Sequence, residues 1–93
     1  MFSWDASKAR INHEKHGVAF EEAATVFADP DGLDWEDPEH SKDESRYKRL
    51  GRSVAGRILP TVYTGRRTPH GKESIRRISA RQASRKERKT YAG

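Results

Sequence analysis

In VAFEEAATVFADP, from Val18 to Pro30, the apolar residues Phe20, Ala23, Ala24 and Phe27 fall at i, i+3, i+4 and i+7. That is the stripe of a helix with one face toward a core. Glu21 and Glu22 stand in its first turn, where the helix dipole favours anions, and Asp29-Pro30 ends it. Upstream, Asp5 is placed to cap a helix through ASKARINHEKH, Gly17 to close that helix in left-handed backbone, and MFSW to form a short strand before the cap. Beyond Pro30 the period drops toward two. GLDWED, RYKRLGRS, RILPTVYT and ESIRRISA read as strands, PEHSKDES as a polar loop, and VAG and GRRTPHGK as turns. The pattern predicts an α+β fold, an antiparallel β-sheet packed against two N-terminal helices. Pro60 lies inside a strand and lacks an N–H, so an edge, a bulge or a non-bonded site is expected there. SRKE, from Ser84 to Glu87, is a capping box that opens a short C-terminal helix of about two turns.

With 93 residues, of which 32% are apolar, the chain makes one domain, residues 1–93, around a small core. No stretch approaches the ~20 apolar residues that span a bilayer, and MFSWDASKAR lacks the apolar segment of a signal peptide, so a cytoplasmic protein without membrane association is expected. The absence of cysteine excludes disulfides, thiolate metal sites and a cysteine nucleophile. HEKH places His13 and His16 three apart, whereas the zinc-protease pattern needs four, and no third ligand is evident. Neither a metal nor a cofactor is expected. The net charge of +5 conceals a division: residues 1–45 carry four basic and twelve acidic side chains, residues 46–93 fifteen and two. A basic half of this kind suits phosphates or an acidic partner.

MFSWDASKARINHEKHGVAFEEAATVFADP, DPEHS, RILPTVYT and RRISARQASRKERKTY, in this order, resemble the BrnT family of bacterial toxins, the ribonuclease partners in BrnT–BrnA toxin–antitoxin modules. The likeness covers nearly the whole chain, and KHGVAFEEAATVF and ISARQASRKERKTY are its most specific stretches. The resemblance implies a small RelE-like fold and RNA cleavage that inhibits translation. It also implies neutralisation by a BrnA-like ribbon-helix-helix antitoxin, with operator DNA bound only through the antitoxin complex.

Metal-independent RNA cleavage needs a base at the 2′-hydroxyl, an acid at the leaving 5′-oxygen and cations on the phosphorane-like oxygens. Arginine suits the last role, since its planar fork offers paired donors and stays charged. Arg46, Arg57, Arg66 and Arg76 are candidates, expected to gather on the sheet face left open by the helices. Arg57 and Arg76 match basic positions of the family's strands. Tyr63 is a candidate for stacking or proton relay, and His40, in the DPEHS loop, for titration near neutrality. Arg66, Arg81, Lys86 and Lys89 are candidates for RNA binding, the last two from a solvated helix face. Lys48, Pro60 and Arg77 stand where relatives tend to be apolar, and strand alternation sends Arg76 and Arg77 to opposite faces. Those departures keep a second reading open, a catalytically degenerate relative that acts as an antitoxin-binding co-repressor. A third is a basic RNA-binding module.

Overall fold

Asp5 ends the first strand and starts the first helix: its carboxylate accepts from the amides of Ser7 and Lys8 at 2.8 and 3.2 Å. Helix α1, Ala6–His16, then closes on Gly17 at φ 68°, a left-handed position that favours glycine. The computed structural model describes residues 2–37, 45–67 and 73–93. In chain order the other elements are β1 (Phe2–Ser3), α2 (Phe20–Ala24), a 3-10 turn (Thr25–Ala28), β2 (Leu33–Glu36), β3 (Arg46–Arg52), β4 (Ile58–Arg67), β5 (Glu73–Ala80) and α3 (Arg85–Ala92).

The sheet order is β1-β5-β4-β3-β2. From β2 to β5 it is the expected antiparallel meander, while β1 adds to the far edge in parallel with β5. β4 extends through Arg67, further than the expected turn at GRRTPHGK, whose residues 68–72 lie outside the described residues. A bulge interrupts β4–β5: Val62 faces Ser79 but Tyr63 faces Arg77, so Ile78 is passed over. Pro60 occupies a non-bonded site of the central strand. Its ring nitrogen lies on the side of its own carbonyl, which accepts from the Arg81 amide at 3.2 Å just past the end of β5, so no donor toward β3 is lost.

α1, α2 and the 3-10 turn cover one sheet face and enclose Val18, Ala23, Val26, Leu59 and Ala80. The buried residues of the second helical segment are Phe20, Ala23 and Val26, spaced by three. Ala24 and Phe27, expected in the stripe, are only partly buried, because the 3-10 turn tightens the period and rotates Val26 inward. Gly51 of β3 permits this close approach, since a Cβ there would meet the Val26 Cβ at 2.9 Å. α3 lies across the opposite face, opened by the expected capping box of Ser84 and Glu87.

Asn12 is the buried residue of α1. Its amide nitrogen donates to the carbonyls of Val18 and Ala80 at 3.0 and 2.8 Å, and its oxygen accepts from the Ala80 amide at 3.1 Å. The carboxamide thus completes the ladder of β5 where β1, which reaches only Ile75 and Arg76, provides no partner.

Asn12→Ala strands the Ala80 amide and two carbonyls in a buried site. It should cost about 3 kcal/mol on the usual scale for unsatisfied buried groups, read as a fall in the urea midpoint. Ser84→Ala should cost about 1 kcal/mol by loss of the cap, measured in the same way.

Candidate functional site

Strand alternation divides the candidate residues between two faces. Tyr47, Arg49 and Gly51 of β3 register with Tyr63, Thr61 and Leu59 of β4 and point toward the N-terminal helices. Arg46, Lys48, Leu50 and Arg52 point the other way, with Thr64, Val62 and Pro60 opposite the first three. α3 packs against β3 and β4 on this second face, where Leu50 is fully buried, and at the far end of that face Arg76 is exposed while Thr64 is buried.

At that far end one register line crosses three strands: Arg46 of β3 faces Thr64 of β4, and Thr64 faces Arg76 of β5. The two arginines are two strand spacings apart, roughly 10 Å, and flank the threonine. Arg76 is exposed and Arg46 partly buried. The Thr64 hydroxyl is buried and makes no hydrogen bond among the described residues. The next line along the same face holds Trp35, Lys48, Val62 and Ser79.

Arg57 is not part of this line. It begins the return limb of the β3–β4 hairpin, roughly 20 Å along the strands from Arg46. Its guanidinium donates to both Glu22 carboxylate oxygens, Nε to Oε2 at 2.9 Å and Nη2 to Oε1 at 2.5 Å, and Nη2 also reaches the Gly17 carbonyl at 3.3 Å. Ser53 Oγ donates to the same carboxylate at 2.7 Å, so the hairpin is fastened to α2. The expectation that Arg57 joins Arg76 on the open face is corrected: its preferred carboxylate lies 35 residues away in the acidic half.

Tyr63 is likewise on the helix side. Its ring stacks on Tyr47 at 5.5 Å and meets Phe27 edge-on at 4.9 Å, while its hydroxyl donates to Asp34 Oδ1 at 2.8 Å. Burial, with the Asp34 hydrogen bond, pushes the phenol well above its ordinary range. It therefore holds its proton at neutral pH and faces away from Arg76. His40 lies outside the described residues, as do the side chains of Arg66 and Arg77, although the Arg66 backbone pairs with Ser74.

Arg81 grips Glu87 with two hydrogen bonds, Nη1 to Oε1 at 2.7 Å and Nη2 to Oε2 at 2.8 Å. Lys48 Nζ is 3.0 Å from the same carboxylate, which also accepts from the Ser84 amide at 2.9 Å. These donors, Arg81 foremost, hold the Glu87 carboxyl far below the usual carboxylate range. Arg81 thereby anchors α3 at the margin of the open face. Lys86 and Lys89 are exposed, as expected of a solvated helix face.

Two features escaped the sequence reading. Arg49, only 11% exposed, donates through Nε to the Val26 carbonyl at 2.8 Å and through Nη2 to the Asp29 carbonyl at 2.7 Å, and pairs with Asp34. It satisfies carbonyls at the end of the 3-10 turn. Trp35, 44% exposed on the edge strand, has the Lys48 ammonium 5.7 Å from its ring centroid. The alternation of GLDWED was the available signal: it places Leu33 and Trp35 on one face.

Among the described residues, no group of three or more His, Asp or Glu is arranged to hold a metal ion, and no helix is long and apolar enough to cross a membrane.

The Glu22 carboxyl lies below its ordinary 4.5, chiefly through its hydrogen bonds from Arg57, and Glu87 is lowered too. Folded-state values below the unfolded ones mean stability that is complete above about pH 4.5 and lost as pH falls and the carboxyls protonate. Urea melts at neutral and at about pH 3 should therefore show acid destabilisation. Glu22→Gln should be less stable at neutral pH and lose less on acidification.

A family model for "Ribonuclease toxin, BrnT, of type II toxin-antitoxin system" matches residues 4–87. Among solved structures, the crystal structure of the Brucella abortus ribonuclease toxin BrnT is similar, with a TM-score of 0.65 and 24% identity over 91% of this chain and 99% of that one. The two share the α+β fold. A comparison with curated proteins finds no match. With nearly its whole length matched, the chain belongs to the BrnT family of ribonuclease toxins of type II toxin–antitoxin systems.

Proposed function

We propose that the open sheet face binds RNA and that Arg46 and Arg76 hold the scissile phosphate in a metal-independent cleavage. The observation that carries this reading is the Arg46–Thr64–Arg76 line. Two guanidinium groups on either side of a hydroxyl offer several N–H donors to a phosphodiester whose charge grows in the transition state. In the reaction the 2′-oxygen bonds to phosphorus and the bond from phosphorus to the 5′-oxygen breaks. The 2′-proton leaves and another is delivered to the 5′-oxygen. The products are a 2′,3′-cyclic phosphate and a 5′-hydroxyl.

Cleavage of this kind in the cytoplasm inhibits translation, and a ribbon-helix-helix antitoxin of the BrnA type neutralises it by covering the same face. Operator DNA is contacted only through the complex with that antitoxin. The basic second half supports an acidic or apolar-faced partner, whose binding to the native state alone would raise apparent stability by mass action. Lys86 and Lys89 add distant, screened attraction for RNA, and Arg66 remains a candidate for RNA binding.

Arg76→Ala and Arg46→Ala should each abolish most cleavage of a model RNA by the partner-free protein, with Arg76→Ala leaving the melting temperature nearly unchanged. Arg57→Ala should instead lower the melting temperature, because it releases the hairpin from Glu22. EDTA should not inhibit, and the products should carry the cyclic phosphate. EDTA-sensitive cleavage, or full activity of the Arg46/Arg76 double variant, would overturn the mechanism. Tight RNA binding without cleavage would favour the basic RNA-binding module instead.

A further inference from the structure

An exposed tryptophan on an edge strand needs a reason, since its large apolar ring gains nothing from water. Trp35 lies on β2, the last strand of the sheet, and shares its face with Leu33, which is also exposed. The other tryptophan, Trp4, packs edge-on against the buried Phe20 at 6.2 Å. Trp35 registers with Lys48, whose ammonium stands 5.7 Å from the indole centroid and is itself tied to Glu87 at 3.0 Å. The ring is therefore braced by a cation while 44% of the residue stays accessible. From Trp35 to Arg46 is one strand sideways and two residues along, roughly 5 Å by 7 Å, a separation on the scale of one nucleotide.

We propose that Trp35, braced by Lys48, is a stacking platform for a nucleobase next to the phosphate held by Arg46 and Arg76. The inference rests on the reading of this face as the RNA-binding face, and adds to it a contact with the base rather than the backbone. Charge complementarity selects the occupant: an aromatic ring beside Lys48, Arg46 and Arg76 suits a flat base on a polyanionic chain. Among the described residues, the other exposed large apolar ones, Ile11 and Val54, lie on α1 and in the β3–β4 turn, away from the register lines that hold these cations. Stacking of this kind tolerates any base, so Trp35 contributes affinity and positions the strand without dictating sequence.

The test uses the partner-free protein and an uncleavable 2′-O-methyl RNA oligonucleotide, with anisotropy titrations across a range of salt. Trp35→Ala should weaken binding roughly tenfold with an unchanged salt slope, because stacking releases no counterions. Trp35→Phe should recover most of that loss. Arg76→Ala should reduce the magnitude of the slope by about one. Binding should quench the intrinsic fluorescence of the wild-type protein, whereas the Trp4 signal left in Trp35→Phe should stay constant. If the wild-type protein binds the oligonucleotide and Trp35→Ala binds it equally well, the platform is overturned and the RNA-binding reading stands. If the wild-type protein fails to bind, both fall.

Discussion

Much of this molecule depends on one carboxamide. Helix α1 buries no apolar side chain fully, so an apolar stripe of the usual kind does not hold it to the sheet. Asn12 does that instead, acting toward Ala80 as a neighbouring strand would and drawing in the Val18 carbonyl. Ala80 and Val18 both belong to the core cluster, so the same bonds that fix the helix also fix the positions of the residues it covers. Since a buried polar group left unpaired is strongly penalised, a shift of α1 or of the β5 register would break several bonds at once. The bulge at Ile78 lies just upstream, and the Arg76 register depends on it.

What was legible in the sequence was what is local. Asp5, Gly17 and the Ser84–Glu87 box act within a few residues of themselves, and each caps as its spacing indicates. Strand alternation and turn residues gave the meander for the same reason. The helical stripe was read less well, since nothing in TVFA reveals that the backbone tightens to a 3-10 turn and brings in Val26. Non-local pairings were not legible at all. Asn12 meets Ala80 across 68 residues, Arg57 meets Glu22 across 35 and Tyr63 meets Asp34 across 29. Each is decided by topology, which no spacing encodes. Thus Arg46 and Arg76 could be named as candidates from chemistry, but only the register of three strands puts them on one line.

The arginines, alike in composition, are set to different work by their neighbours. Arg49 satisfies carbonyls at the end of the 3-10 turn, Arg57 fastens a hairpin, and Arg81 holds the first turn of α3 through Glu87. In each case a planar fork with several donors binds more than one acceptor, which a lysine could not reproduce. Arg76, exposed on the open face, has no carboxylate partner among the described residues.

The Glu22 and Asp34 pairs carry a kinetic consequence. Both lie on the helical side, where carboxylates of the acidic half serve as resident counterions for Arg57 and Arg49. A polyanion meeting that side would find these two guanidinium charges already matched, whereas Arg76 on the other side has no carboxylate partner among the described residues. A charge left unmatched in this way is felt before contact, within about a Debye length, ~8 Å at physiological salt.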